Sequence, residues 1–420
     1  VTHRDDRGLP LSTACAAARD AYCDGVARLL GARAGIEAAL GDAIAADPSF
    51  ALAHAALARA HQAHARGAQA RATMAEALVL AERALERERS HVHALARVVA
   101  GDPAGALDAI RAHLGRWPRD VVVMAPCGGV FGLFGFSGRA GRERALREFV
   151  EPFAPALGDD PWYLTTRGFA RCETGDVAAG RGDVERALGL DPASANTAHI
   201  HAHVLYEAGE DARAVAWLRD WLSGYAREGM MHCHLNWHVA LSALAVGDRA
   251  TAWATYDDAV APGAAWGPPL NLVTDATSFV LRAALCGEPI PGGAWTALAE
   301  VARRAFPQPG VAFADAHVAL ALAMAGDSDG LARLRVGAVG PAADVVVALA
   351  DAFAAFARED WAGCWRALEP VLPVHERIGG SRAQRDLIEQ VAWVAVRRGG
   401  LDVDWRPRGT RPMPAGLSAV

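Results

Sequence analysis

The sequence predicts an all-α superhelical solenoid built from degenerate helix pairs of about 34–40 residues per unit. Three observations lead there. Hydrophobic residues make up 52% of the 420-residue chain, with alanine prominent, and alanine has the highest intrinsic helix propensity. No long stretch alternates with period two, and β-branched residues are sparse outside runs such as Val121–Val123. A glycine followed by an acidic residue recurs at Gly101-Asp102, Gly175-Asp176, Gly209-Glu210, Gly247-Asp248, Gly287-Glu288 and Gly326-Asp327. The first step spans 74 residues, two units, and the later steps are 34, 38, 40 and 39.

Each glycine suits the left-handed position that ends a helix, and the acidic residue after it suits the start of the next helix. Each unit is therefore a helix A, a tight turn, a helix B and a short loop, a tetratricopeptide-like grammar repeated about ten or eleven times. The A helices are read at 197–210, 230–248, 271–288 and 313–327, and B helices at 213–225 and 250–260. Proline closes units at Asp47-Pro48 and Asp191-Pro192. The glycine-rich stretch 126–141 lacks a following lysine and a preceding strand, so it reads as close packing or a bend and not as a phosphate loop. Ser381 is a candidate N-cap for a final A-type helix over 379–399. The expected organisation is one repeat domain over 1–404 and an extended Pro/Gly-rich tail over 405–420.

The net charge is −6 and all 42 basic residues are arginine, with no basic stripe, so a nucleic-acid partner is not expected. No run of 18 apolar residues occurs, and no membrane span is expected. The seven cysteines are odd in number, widely spaced and without a CxxC pair, which reads as reduced thiols of a cytoplasmic protein. The opening VTHRDDRGLPLSTA lacks the apolar core of a secretory leader.

Function enters through polar side chains that recur at one phase of the repeat. His199 and His203 are four residues apart and share a helix face, as do His234 and His238. Asp275 stands one unit later, and Asp315 and His317 one unit after that. Equivalent positions of stacked repeats become spatial neighbours, so these groups are expected to converge on the concave face. His201 and His232 lie off these faces, and His54, His61 and His64 read as exposed.

Around these residues the chain resembles the bacterial relatives of tetratricopeptide repeat protein 38. The stretches that carry the resemblance are 86–102, HIHAHVLYEAG (199–209), CHLNWHVALSALAVGD (233–248), 273–283, 313–327 and IGGSRAQRDLIEQ (378–390). The resemblance picks out His91, His199, His203, His234, Trp237, His238, Asp275, Asp315, His317, Gln384 and Asp386, and it implies repeat architecture without a reaction or substrate. Arg382 stands where the bacterial members often have histidine.

Two chemistries fit the constellation. Paired histidines on adjacent helices suit a divalent transition metal, with His199, His203, His234 and His238 as candidate ligands. Alternatively, His203, His238 and His317, oriented by Asp275 and Asp315, suit acid–base catalysis of hydrolysis, elimination or another proton transfer on a small molecule. Tyr163, Tyr206, Glu207, Trp237, Asp315, Gln384 and Asp386 are the candidate ligand-binding residues, and Trp266 could add to an aromatic wall. The competing expectation is a non-catalytic scaffold for a peptide or protein partner, which an open groove would favour. Cys233, within the key helix, reads as a buried structural thiol.

Overall fold

The computed structural model describes residues 3–407 and 411–417. Among them are 22 α-helices, and the only extended pairing is an isolated bridge between Arg4 and Pro10. The helices are α1 Ala16–Leu30, α2 Ile36–Ala46, α3 Ala51–Ala63, α4 Gly67–Ala81, α5 Glu86–Ala100, α6 Pro103–Arg116, the short α7 Val121–Met124, α8 Arg142–Val150, the short α9 Ala154–Leu157, α10 Pro161–Glu173, α11 Val177–Leu190, α12 Ala195–Glu207, α13 Asp211–Leu222, α14 His232–Ala245, α15 Arg249–Ala259, α16 Pro269–Leu285, α17 Ala294–Ala305, α18 Ala312–Met324, α19 Ser328–Gly337, α20 Ala343–Ala357, α21 Trp361–Leu368 and α22 Arg382–Arg398.

The glycine half of the predicted punctuation holds at all six sites, and the acidic residue caps the next helix at three. Gly101, Gly175, Gly209, Gly247, Gly287 and Gly326 have φ between 70° and 91°, the left-handed region that a side chain disfavours. Asp102, Asp248 and Asp327 then cap the following helix by accepting a backbone N–H three residues on. Two further units use the same turn without glycine. Ala65 and Glu359 take φ near 59° and 58°, and Asp360 caps α21.

Within each pair the A helix faces inward. Nearly all of α12 is buried, whereas α13 buries only Ala214 and Leu218. Successive A helices pack side by side, α10 on α12, α12 on α14, α14 on α16, α16 on α18 and α18 on α20. The apolar core falls into two main clusters, one along residues 11–204 and one along 206–417.

The inner face of this stack is occupied by α22. It lies against α12, α16 and α21 and is buried nearly all round, as a helix enclosed by others must be. Ser381 and Gln384 form the capping box that starts it. The buried Arg282 of α16 holds it, donating to the Ala383 carbonyl at 2.7 Å, the Gln384 carbonyl at 3.2 Å and Gln390 Oε1 at 3.1 Å. The chain also closes on itself. Asn196 donates to the Leu30 carbonyl and the Tyr225 hydroxyl to the Ala32 carbonyl, both at 2.6 Å. The glycine-rich stretch packs against the far end of the chain, and a Cβ on Gly138 would lie 2.7 Å from Pro341.

Two expectations are corrected. The tail is tied down over residues 411–417: Arg411 pairs with Asp211 at 2.9 Å, Ala415 donates to the Ala245 carbonyl, and Leu417 is fully buried. The rest of the predicted tail, at 408–410 and 418–420, lies outside the described residues. His201 and His54 are buried, the first against Trp217 and the second donating from Nε2 to the Pro48 carbonyl, because these A helices are covered on more than one side. Among the described residues, no helix is long and apolar enough to cross a membrane.

The anchoring of α22 gives a first test. Arg282→Met removes the donors to Gln390 and to two carbonyls in a dry site, and should lower unfolding free energy by about 1–3 kcal/mol. Urea denaturation followed by circular dichroism reads this directly; an unchanged midpoint would show that α22 is held by other contacts.

Candidate functional site

Four histidines on two adjacent A helices meet in the interior. The His203 Nε2 and His199 Nε2 atoms are 2.8 Å apart, and His234 Nε2 is 3.0 Å from His199 Nε2. The His238 ring centroid lies 4.7 Å from that of His203. One nitrogen from each of the four fits within 4.8 Å of the others, and none of the side chains exceeds 7% exposure. Helical periodicity put each pair on one face, and the repeat put the two faces opposite each other.

Asp275 of α16 accepts from His234 Nδ1 at 2.8 Å. That bond places a proton on Nδ1 and turns Nε2 toward His199. Trp237 stacks on the His234 ring at 5.2 Å and donates to Ser278 Oγ. Cys233 is fully buried as expected, its thiol 3.9 Å from Asp275 Oδ2. His203 Nδ1 and His238 Nε2 are buried without a hydrogen-bond partner. Burial, reinforced by His203 and His234, holds His199 well below the usual imidazole range. Burial likewise holds His238 well below it and lowers His203 to about 3. These rings are neutral at pH 7.

The other predicted residues separate from this cluster. His317 donates from Nδ1 to the Phe313 carbonyl at 2.8 Å within its own helix, and burial lowers it to about 4. Asp315, two residues away and so on the other side of α18, accepts from Gly310 N at 3.0 Å and is raised to about 6 by burial. Tyr163 is in the core, with its hydroxyl donating to the Val150 carbonyl. Gln384 serves the capping box. Trp266 is 54% exposed on the outside.

Tyr206, Glu207 and Asp386 belong to a second polar set, between α10, α12 and α22. Tyr206 donates to Asp386 Oδ2 at 2.9 Å, and the Arg411 guanidinium lies 3.4 Å over the Tyr206 ring. Glu207 Oε2 pairs with Arg382 Nε at 3.2 Å, and Arg382 N donates to Glu173 Oε2 at 2.8 Å. Glu207 Oε1 and Glu173 Oε1 have no partner. Burial raises Glu173 to about 8, aided by Glu143 and Glu207. It raises Glu207 to about 7 against the opposing pull of Arg382. Glu173 was missed in the sequence, although it precedes Gly175 by two residues just as Glu207 precedes Gly209.

His91, also singled out by the resemblance, lies in a third set. Asp120 Oδ2 accepts from Arg87 at 2.7 Å, His91 Nδ1 at 2.9 Å and His113 Nε2 at 3.2 Å. Although Asp120 is buried, these neighbours hold its carboxyl well below the usual range.

Cavities distinguish the sets. One of about 500 Å³ is lined by Glu207, Arg181, Arg411, Asp176 and Gly175, and one of about 240 Å³ by Tyr206, Asp386, Arg411 and Trp393. His317 borders a space of about 10 Å³, no larger than a water site. A groove of about 480 Å³ on the outside is lined by Trp266, Arg33, Glu37, His64, Arg66 and Glu228. None of these four is lined by His199, His203, His234 or His238.

No family model matches the chain. A solved structure, the TPR domain of P58(IPK), aligns with 91% of this chain and 99% of its own at 12% identity, with a TM-score of 0.21. The description of this chain as tetratricopeptide-like therefore rests on its own helix pairs and turns.

The titrations give opposite pH limbs. Glu173 and Glu207 stay protonated in the fold while the unfolded chain ionises from about pH 4.5, so their contribution is lost as pH rises through 7 and 8. His203, His317 and Asp120 bind protons less readily folded than unfolded, so the contribution of the two histidines is lost as pH falls from about 6.5 through 4 and 3, and that of Asp120 as pH falls below about 3.8. Unfolding free energy of the metal-free protein should decline on both sides, and Glu173→Gln should flatten the limb between pH 6.5 and 8. A wild-type profile that is flat over that limb contradicts the assignment.

Proposed function

We propose that the protein is an enzyme that performs proton-transfer chemistry on a small anionic molecule, with Glu207 as the general base. The observation that carries this reading is the Glu207 carboxylate itself. Its side chain is 7% exposed, one oxygen is unpartnered, and it borders a cavity of about 500 Å³ beside Arg181 and Arg411. A base that titrates near 7 is half ionised at neutral pH and still strong enough to take a proton. The two guanidinium groups favour a carboxylate or phosphate on the substrate.

Arg382 orients Glu207, and burial together with the Asp386 carboxylate keeps its affinity for a proton high. Tyr206 and Asp386, hydrogen bonded to each other, flank the same region through Arg411. The reaction class is elimination, isomerisation or hydrolysis, in which Glu207 removes a proton from carbon or water. Catalysis moves in this reading from the histidines to Glu207, because the four clustered histidines line none of the four cavities described above. Kinship with the bacterial relatives of tetratricopeptide repeat protein 38, and a cytoplasmic location, are part of the same proposal.

A second reading, a scaffold for a peptide or protein, draws on the helix-pair stack and the outer groove. The concave face is filled by α22, so a partner would use the groove around the exposed Trp266.

Calorimetry and thermal shift with a panel of small carboxylates and phosphate esters test the first reading. Wild type should bind at least one, Arg411→Met should bind it at least ten-fold more weakly, and Glu207→Gln should lose a carboxyl band that titrates near pH 7 in infrared difference spectra. With a substrate in hand, Glu207→Gln should lower kcat about 10²–10⁴-fold. Absence of anion binding at millimolar concentration, or a Glu207 carboxyl that titrates near 4.5, would remove the reading and leave the scaffold.

A further inference from the structure

The four-histidine cluster has a proton problem that protein atoms do not solve. His234 donates from Nδ1 to Asp275, and in the neutral ring its Nε2 then carries a lone pair. His199 Nε2 faces that lone pair at 3.0 Å and His203 Nε2 at 2.8 Å. A ring nitrogen has one in-plane direction, and it holds either a proton or a lone pair. If His199 Nε2 is bare, it opposes the bare His234 nitrogen. If it is protonated, one proton must serve two acceptors. No arrangement of neutral rings makes both contacts good hydrogen bonds, and His238 Nε2 is left buried without any partner.

A cation resolves all of this at once, because it accepts every lone pair. We propose that His199, His203, His234 and His238 form a closed site for one divalent transition-metal ion, with Asp275 as the residue that orients His234. An ion about 2.0–2.1 Å from each nitrogen keeps tetrahedral neighbours roughly 3.3 Å apart. The present separations of 2.8 and 3.0 Å need to open by only a few tenths of an ångström. The carboxylate–histidine bond at 2.8 Å is the usual support for a metal-bound imidazole. Four protein ligands that line none of the cavities described mark a structural rather than a catalytic centre, joining α12 to α14. Imidazoles alone favour zinc, nickel, cobalt or copper over magnesium or calcium.

The His91, His113 and Asp120 set supplies an internal contrast. It has metal-like residue types, yet both histidines direct N–H groups at a carboxylate that already accepts from Arg87 at 2.7 Å. His91 Nε2 is left without a partner, but the Asp120 oxygen is already shared by three donors and the guanidinium repels a cation. The inference goes beyond the Glu207 reading and does not depend on it, since anion binding and metal content are measured separately.

The test uses tag-free full-length protein, stripped with a chelator and titrated with Zn²⁺ and Co²⁺. Wild type should take up about one ion per chain and gain thermal stability, while His199→Ala/His234→Ala should lose that ion and the gain. His113→Ala should keep the ion, and Asp275→Asn should bind it about 10–100-fold more weakly. X-ray absorption on the Co²⁺ form of wild type guards against a double variant that fails to fold, and should report at least three imidazoles. No uptake by wild type, uptake that survives in the folded double variant, or fewer than three imidazoles overturns the inference.

Discussion

The polar interior of the C-terminal half depends on the enclosure of α22. A tetratricopeptide-like stack ordinarily leaves its concave face to water, and polar residues there cost little. Here Arg282, Gln384, Arg385, Glu389 and Gln390 are buried together. Once water is removed, each donor and acceptor must find a partner within the protein or carry its desolvation cost. Arg282 meets that demand for the start of α22, and Arg382 meets it for Glu207 and Glu173. The same enclosure moves the carboxylates up and the imidazoles down in proton affinity.

Two buried polar sets therefore differ in kind. Around Asp120, three donors converge on one carboxylate oxygen, so each of those contacts is a good hydrogen bond. Around His199, acceptors face acceptors. Residue type alone does not separate them, since both consist of histidine and aspartate. The direction of the protons does.

Much of this was legible in the sequence. The Gly-acid turns gave the unit boundaries, since φ near +70° to +90° demands glycine in most contexts. They gave no warning at Ala65 and Glu359, where the same turn is made without it. The convergence of His199, His203, His234, His238 and Asp275 followed from helical and repeat periodicity. His317 and Asp315 shared the repeat phase but not the neighbourhood, because two residues on a helix point to nearly opposite sides. The filling of the inner face was illegible. It depends on a helix that arrives from 100 residues beyond Arg282, and no local pattern encodes such a contact.

That late arrival bears on how the chain acquires its structure. Repeat arrays ordinarily grow by nearest-neighbour addition, so each unit is stable once the next is in place. In this chain α12 and α16 remain incomplete until α22 and then Arg411 and Leu417 have been synthesised. The array is thereby converted from a one-dimensional polymer into a cooperative body, in which a later segment closes units that precede it by more than a hundred residues. A ribosome-bound chain that has exposed three hundred residues still displays a furrow of unsatisfied charge, and shortening the C-terminus by a few turns reopens it.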